Sequence, residues 1–197
     1  MYMKPFQEFI DYLYKEVANG SIYVLGGQGQ TLSRITDSWL ETREHGDTKN
    51  IARVKALLES RKKLGYGSTL KAFDCSGLGM YWLQNVKKIF PSDMTANGMC
   101  GKCEPIGKDE LLPGDWCFVV NNGRATHIAF YVGSGLVVEA RGRDYGVVIS
   151  HLTSRFNAYG RPRIWATDIE SQDSELMSDM LKVYDISKKY GGDNSDS

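Results

Sequence analysis

The sequence predicts an α+β domain in which N-terminal helices pack on a C-terminal antiparallel sheet or a partly closed small barrel. Apolar residues recur at helical spacing through the first third of the chain. From residue 112 onward, short apolar runs are separated by turn residues, and no βαβ alternation joins the two halves. At 197 residues, 42% of them hydrophobic, the chain is long enough to bury the core of one such domain.

The first half carries the helix signals. The segment from Pro5 to Ala18 places six apolar residues on one face, begins with proline and has Gly20 just past its end. A short extended piece from Tyr23 runs into a glycine loop, where backbone can approach other groups closely. Another helix opens at Asp74, a residue type that caps helix N-termini, which places Cys75 in the first turn. Two further helices are predicted over residues 32–44 and 48–64.

The second half carries the strand signals. Pro113-Gly114-Asp115 is a turn, and the segments that follow it have the length and composition of strands in an antiparallel sheet. The predicted strands cover residues 116–120, 126–132, 136–141, 146–150 and 161–166.

The end of the chain differs from the rest in charge. Residues 168–197 hold eight Asp or Glu and three Lys, so the first 167 residues carry about +5 although the whole chain is neutral. Apolar residues of this segment lie near one helical face. The sequence therefore predicts a domain over residues 1–167 and an acidic amphipathic tail or linker over 168–197. Three roles are open for this tail: packing back on the domain, binding a partner such as a larger assembly, or leading to another domain.

Several classes of partner are not expected. No Lys/Arg cluster forms a basic stripe, which argues against nucleic acid. No apolar stretch approaches membrane-spanning length, and the first residues lack the apolar run and cleavage site of a secretory signal. Synthesis in a reducing cytoplasm is expected, and four cysteines are too few for a disulfide framework.

Cys75 is the first candidate for chemistry. A thiol becomes a strong nucleophile when deprotonated, and the unpaired N–H groups and dipole of a helix N-terminus stabilise that charge. The same N–H groups suit an oxyanion, and Gly77 is expected to leave room for a substrate. The alternative is a small packed thiol without a chemical role, the commoner fate of an isolated cysteine.

A cysteine nucleophile needs a base, and the chain has only three histidines. Alternation in the strand over residues 126–132 puts His127 on the face opposite the apolar core residues. That face borders a cleft if the Cys75 helix packs against it. The alternative for His127 is a cross-strand polar contact on a solvated face.

Glu139 is the candidate that orients this base. If the turn after residue 132 has three residues, 132 pairs with 136, His127 lies opposite Arg141, and Glu139 is one diagonal step away on the same face. A carboxylate there fixes the imidazole tautomer and supports its charged form. The alternative is an ordinary cross-strand pair with Arg141 or Arg143.

The other cysteines allow a second interpretation. Cys100 and Cys103 form a lone CxxC, and Cys117 with a histidine would complete a zinc site. No second CxxC or close histidine pair supports this, so unpaired thiols and no metal are expected.

Four motifs, in this order, resemble the NlpC-type cell-wall peptidases, a papain-like group. The resemblance covers roughly residues 5–165, and the second and fourth motifs are specific as a pair although either alone is weak. The motifs are Tyr23-Val-Leu-Gly-Gly, Phe73-Asp-Cys-Ser-Gly, Leu112-Pro-Gly-Asp and Thr126-His-Ile-Ala-Phe-Tyr-Val-Gly.

The resemblance implies an endopeptidase without a cofactor that cuts peptidoglycan stem peptides, often between D-glutamate and the following diamino acid. By position, Cys75 matches the nucleophile and His127 the base, while Tyr23 matches a tyrosine that helps shape the oxyanion site. Asp74 and Ser76 match positions that, in some members, hold the free amino end of the substrate.

Glu139 departs from the family pattern, in which the third polar residue is usually His and sometimes Asn or Gln. A carboxylate orients His127 at least as well as a neutral group, so activity is expected to survive with greater sensitivity to acid. Arg141 is expected to compete for this carboxylate.

The leading hypothesis is hydrolysis at the bacterial cell wall by a Cys75 thiolate. One alternative is an amidase or acyltransferase with the same site, and another is a non-catalytic cell-wall-binding module with an inert Cys75. The lack of a recognisable secretory signal suggests delivery by phage lysis or a dedicated export apparatus, and thus a phage or prophage lysin. The acidic tail would then attach to a larger particle or to a wall-binding partner.

Overall fold

The structure is a computed structural model that describes residues 5–165, so the predicted tail over 168–197 lies outside the described residues. The helices are α1 (Pro5–Ala18), α2 (Asp37–Arg43), α3 (Thr48–Lys63), α4 (Cys75–Met80) and α5 (Ala96–Cys100). The strands are β1 (Ile22–Tyr23), β2 (Gln28–Thr31), β3 (Lys71–Phe73), β4 (Cys103–Ile106), β5 (Trp116–Asn121), β6 (Arg124–Gly133), β7 (Leu136–Gly142), β8 (Gly146–His151) and β9 (Ala158–Pro162).

The larger sheet has six antiparallel strands in the order β4-β9-β5-β6-β7-β8. Strands β4 and β8 are its two edges, so over residues 5–165 the sheet is open and does not close into a barrel. The prediction of an α+β fold with helices before an antiparallel sheet is confirmed in its open form. No helix among these residues has the length and apolar character needed to span a bilayer.

A second, three-stranded sheet brings distant parts of the chain together. Strand β3 pairs with β1 in parallel and with β2 in antiparallel fashion. In this register Tyr23 lies beside Phe73, the residue that precedes Asp74 and the start of α4. The glycine loop that follows Tyr23 is thereby placed next to the N-terminus of that helix.

The main core lies between the helices and one face of the larger sheet. Phe9 of α1 makes an edge contact with Phe130 of β6 at 5.1 Å between ring centroids, and both are fully buried. Gly79 of α4 lies so close to the Phe130 ring that a β-carbon would approach it to 2.5 Å. A smaller cluster covers the opposite face of the sheet, around Cys117, Ala129, Val137 and Phe156.

Local capping explains one difference from the predicted helices. The segment 32–44 is interrupted: Leu32–Arg34 form a 3₁₀ turn, and α2 begins only at Asp37. Thr36 caps α2 by accepting a hydrogen bond from the Trp39 N–H at 3.2 Å, which requires an extended backbone at residue 36. The predictions for α1 and α3 are confirmed, the second to within one residue.

The strand predicted over 161–166 was wrong. Strand β9 spans Ala158–Pro162, and Arg163–Trp165 form a 3₁₀ turn. The shift has a packing cause, since the turn carries Trp165 back into the core, where its indole N–H donates to the Gly114 carbonyl at 3.1 Å. Strands β2, β3 and β4 were not predicted because they are only three or four residues long.

Candidate active site

Cys75 lies in the first turn of α4, as the sequence predicts, and Asp74 is the N-cap. Asp74 Oδ1 accepts the Gly77 N–H at 2.6 Å, and Oδ2 accepts the Gly26 N–H at 3.0 Å. Burial raises the pKa of this carboxyl, although those hydrogen bonds act in the opposite direction. Asp74 therefore joins the glycine loop to the helix on which Cys75 is mounted.

Gly77 has a different role from the one expected. A β-carbon at this position would lie 2.0 Å from the carbonyl oxygen of Gly27, and Gly77 is buried. The missing side chain makes room for the glycine loop and not for a substrate. The expectation of an open approach at Gly77 was wrong because the local packing of the loop cannot be read from the helix sequence alone.

Ser76 and Asp74, the predicted amine-binding pair, interact with each other. The Ser76 hydroxyl donates to Asp74 Oδ1 at 3.1 Å, and Ser76 is buried. Both carboxylate oxygens of Asp74 already accept hydrogen bonds within the protein. A role in holding the amino end of a substrate stays a prediction.

The Cys75 thiol lies in a protected environment. Burial, together with the neighbouring charge of Asp74, raises its pKa to about 11. The N–H groups of Ile128, Ser76 and Cys75 itself favour the thiolate and partly offset this effect. The contact with Ile128 places the sulfur against the backbone of β6 at the residue that follows His127.

The site forms where β6 and β7 separate. Their ladder runs from Gly133 and Leu136 to Phe130 and Val138, and over the described residues no further pair joins the two strands, although both continue. Helix α4 contacts both strands beside this opening. The thiol is thus mounted at the gap between two strands.

Helix α4 packs on the core face of the sheet. Its residue Leu78 lies in the same cluster as Ile128 and Phe130, on the face opposite the His127 side chain. A cleft on the His127 face required the helix to pack there, and this condition is not met. Alternation assigned the faces correctly, but it could not reveal that the strands separate and admit the sulfur at the level of the sheet.

His127 and Glu139 bridge the same opening. His127 Nε2 lies 2.7 Å from Glu139 Oε2, which confirms the predicted contact. The turn has two residues, not three, but a bulge beside Gly133 restores the register that places Phe130 opposite Val138. His127 Nδ1 makes no hydrogen bond within the described part of the chain, so this nitrogen is available for proton exchange.

Glu139 is fully buried and has two partners that the sequence did not indicate. The Ser150 hydroxyl and the Arg155 guanidinium both donate to its carboxylate. Burial alone would raise the pKa of Glu139, but the hydrogen bonds of His127 and Ser150, with Arg155, outweigh it and lower the pKa to about 2. The carboxylate is held ionised beside the imidazole.

The two arginines considered as competitors lie elsewhere. Arg141 stacks over the Tyr145 ring at 4.3 Å, and Arg143 pairs with buried Glu44 at 2.5 Å between Nη2 and Oε2. Neither contacts Glu139, so the expectation for Arg141 was wrong. The ion pair belongs to Arg155, which comes from the loop between β8 and β9 and has no periodic relation to β7.

Tyr23 lies close enough to Cys75 to interact with it electrostatically. Burial raises the pKa of its phenol, and the charges of Cys75 and Asp74 act in the same direction. The Arg143 guanidinium lies 5.3 Å from the ring centroid, and Arg143 is held in turn by Glu44. Glu44, which no sequence pattern indicated, thus supports the tyrosine through an arginine.

The remaining cysteines do not form a metal site. All four cysteines are free, and Cys103 and Cys117 are buried. Within residues 5–165 no group of three or more His, Cys, Asp or Glu side chains is arranged to hold a metal ion.

A thiol at a helix N-terminus, an imidazole on the adjacent strand and a carboxylate behind that imidazole define a site suited to nucleophilic acyl chemistry. The model of the NlpC/P60 family matches residues 61–163, a segment that contains all three groups. The chain belongs to the NlpC/P60 family.

Among the solved structures to which the chain is similar, RipB supports the same papain-like fold. The peptidoglycan hydrolase RipB from Mycobacterium tuberculosis is 17% identical, with 82% of this chain and 68% of RipB covered and a TM-score of 0.50. The P60 domain of an antigen from M. avium subspecies paratuberculosis is 20% identical, with 79% and 96% covered and a TM-score of 0.48. RipD from M. tuberculosis, a non-catalytic NlpC/p60 domain protein, is 16% identical, with 81% and 98% covered and a TM-score of 0.46. No curated protein sequence matches the chain.

Proposed function

We propose that this protein is a peptidoglycan endopeptidase that hydrolyses stem-peptide amide bonds through Cys75, at the bond between D-glutamate and the following diamino acid. One observation carries the proposal: the Cys75 sulfur contacts the backbone at Ile128, next to His127, whose Nε2 is held by Glu139 at 2.7 Å. Membership of the NlpC/P60 family and similarity in fold to the peptidoglycan hydrolase RipB support this choice of substrate.

The reaction follows from the protonation states of these groups. Because the pKa of Cys75 is raised to about 11, the resting thiol is neutral near pH 7. His127 takes the thiol proton through Nδ1 as the sulfur attacks the amide carbonyl, and then gives it to the leaving amine. A water molecule, deprotonated by His127, hydrolyses the thioester and regenerates the thiol.

Two groups are proposed to stabilise the oxyanion that forms on the attacked carbonyl. The N–H groups at the start of α4 face the sulfur, and the Tyr23 phenol keeps its proton because burial raises its pKa. A protonated phenol donates a hydrogen bond to an oxyanion, as a backbone N–H does. None of these steps requires a cofactor or metal.

A non-catalytic wall-binding module is the second candidate. The specific observation that favours it is the same raised thiol pKa, since an inert buried cysteine has this property too. An amidase or acyltransferase would use the same three residues and differ in the bond cut or in the acceptor. Only analysis of the reaction products distinguishes an amidase or an acyltransferase from the endopeptidase.

The test is mass spectrometry of purified peptidoglycans with different stem peptides, digested by the wild type and by Cys75→Ala. New stem-peptide ends released by the wild type alone would establish the endopeptidase and identify its bond. Transfer of the acyl group to an added amine would identify an acyltransferase. Intact peptidoglycan that nevertheless retains the protein in a pull-down would favour the binding module.

The route to the wall stays a prediction from the sequence. Phage lysis or a dedicated export apparatus would deliver the domain, and the segment 168–197 is the proposed attachment to a larger particle or wall-binding partner. Deleting residues 168–197 and finding wall targeting unchanged would contradict that role.

A further inference from the structure

Arg155 is a charged residue beside the site that the proposed hydrolysis does not use. It lies in the loop between β8 and β9, and its Nη2 donates to both carboxylate oxygens of Glu139. Its guanidinium also lies 4.5 Å from the centroid of the Phe156 ring, which is 6.2 Å from the His127 ring. Arg155 therefore contacts two neighbours of His127, the Glu139 carboxylate and the Phe156 ring.

The charges of Glu139, His127 and Arg155 indicate what Arg155 does. A buried carboxylate beside a single imidazole strongly favours the imidazolium form, because opposite charges a few ångströms apart stabilise each other. Glu139 is fully buried, and its ion pair with Arg155 supplies a positive charge that does not titrate. The carboxylate therefore has a cationic partner whether or not His127 carries its second proton.

The other groups around the pair do not supply this charge. Among the described residues, Cys75 of α4, with Asp74 beside it, contacts the β6 backbone next to His127, and Cys117 of β5 interacts with Glu139. Burial raises the pKa of both thiols, and Ser150 contributes only a neutral hydroxyl. Arg155 is the cation that contacts the carboxylate.

We propose that Arg155 is a positioning residue that neutralises the Glu139 carboxylate, and so leaves His127 able to release and regain its proton during turnover. This inference rests on the proposed function in one respect, that His127 is the base. The electrostatic role itself is measurable without turnover. A glutamate in the place of the family's usual neutral residue is compatible with catalysis because an arginine accompanies it.

The experiment is an NMR titration of the three histidines in the full chain labelled with ¹³C-histidine. The signal that disappears in His127→Gln identifies His127. Arg155→Gln is expected to raise the His127 titration midpoint by about one pH unit, since the carboxylate then has only the imidazole as its cationic partner. Arg155→Lys should return the midpoint most of the way to that of the wild type.

Arg163→Gln is the matched control. It makes the same chemical change in an exposed ion pair with Glu104, and the His127 midpoint should not move. An unchanged midpoint in a folded Arg155→Gln, or a shift of equal size in Arg163→Gln, would overturn the proposal.

If Arg155→Gln does not fold, a second pair of variants tests the proposal. Without the carboxylate, Arg155 acts on His127 as an unpaired positive charge, so the midpoint should be lower in Glu139→Gln than in the double variant Glu139→Gln/Arg155→Gln. Equal midpoints would overturn the proposal.

A raised midpoint in Arg155→Gln, in a chain that releases no stem-peptide ends, would support the role of Arg155 and count against the hydrolysis. An unchanged midpoint in an active enzyme would remove only the role of Arg155.

Discussion

The carbonyl oxygen of Gly27 occupies the space that a side chain on Gly77 would need. A β-carbon at residue 77 would lie 2.0 Å from that oxygen, and the same carbonyl accepts the Asp74 N–H at 2.9 Å. The contact fastens the glycine loop to the first turn of α4. It fixes the spacing between Tyr23, which precedes the loop, and Cys75, which the helix carries.

Gly77→Ala is therefore predicted to disturb both stability and the site. Because the obstruction is backbone, it cannot rotate away, and overpacking of this kind lowers the free energy of unfolding by about 1–3 kcal/mol. Urea unfolding measures the change. Gly101→Ala is the control, because its β-carbon would meet nothing closer than 3.5 Å. Equal stability of Gly77→Ala and the wild type would show that the loop moves freely.

The ionisation of Cys75 gives a second prediction. With a pKa raised to about 11 by burial, the thiol should react with iodoacetamide ever faster as the pH rises past 9. Asp74→Asn removes the charge that adds to this effect and should move the profile to lower pH. A rate that is already maximal below pH 7 would instead indicate a preformed pair of thiolate and imidazolium.

Glu139 should make stability depend on pH at the acid end. Its pKa falls from 4.5 in the unfolded chain to about 2 in the folded one. A depressed folded pKa stabilises above the unfolded pKa, and this contribution is lost as the pH falls through the folded value. The wild type should lose on the order of 3 kcal/mol from this group between about pH 5 and pH 2.

Glu139→Gln should lack that part of the acid sensitivity. Denaturant unfolding at pH 5 and at pH 2.5 measures the difference, with Glu104→Gln as the control because its carboxylate lies in an exposed pair with Arg163. The same loss of stability in the wild type and in Glu139→Gln would mean that other carboxyls cause it.

The ion pair between Glu44 and Arg143 should matter far more than an exposed one. Arg143→Met leaves the carboxylate of Glu44, a fully buried side chain, without its cation, which destabilises by about 3–5 kcal/mol. Arg53→Met breaks the exposed pair with Asp144 and should change stability much less. Thermal unfolding of the two variants compares them, and equal effects would contradict the distinction.

Local signals made much of the fold predictable. The apolar face of α1, the cap at Asp74 and the alternation around His127 each depend on residues a few positions apart in the chain. The contact between His127 and Glu139 was also accessible, because the parity of a hairpin fixes which side chains share a face. Their chemical roles stay predictions until tested.

The parts of the site that could not be predicted from the sequence depend on tertiary structure. Arg155 and Glu44 come from a loop and a helix end whose paths are set by packing, so no spacing in the sequence links them to Glu139 or Arg143. The separation of β6 from β7 is also invisible to alternation, which is the same in paired and unpaired strands. For this reason the sequence left open which side of the sheet α4 occupies.

The turn between β7 and β8 is anchored to the neighbouring small sheet and helices. Arg143 binds Glu44, and the Val147 N–H donates to the Ser21 carbonyl at 2.8 Å. The Gly146 backbone lies so close to that carbonyl that a β-carbon on this residue would approach it to 2.5 Å. These contacts tie Arg143, and with it the Tyr23 ring that it packs against, to parts of the chain outside the turn. We therefore expect an inhibitor that binds against Tyr23 to meet a side chain that is already held in place, with little loss of conformational freedom on the protein side.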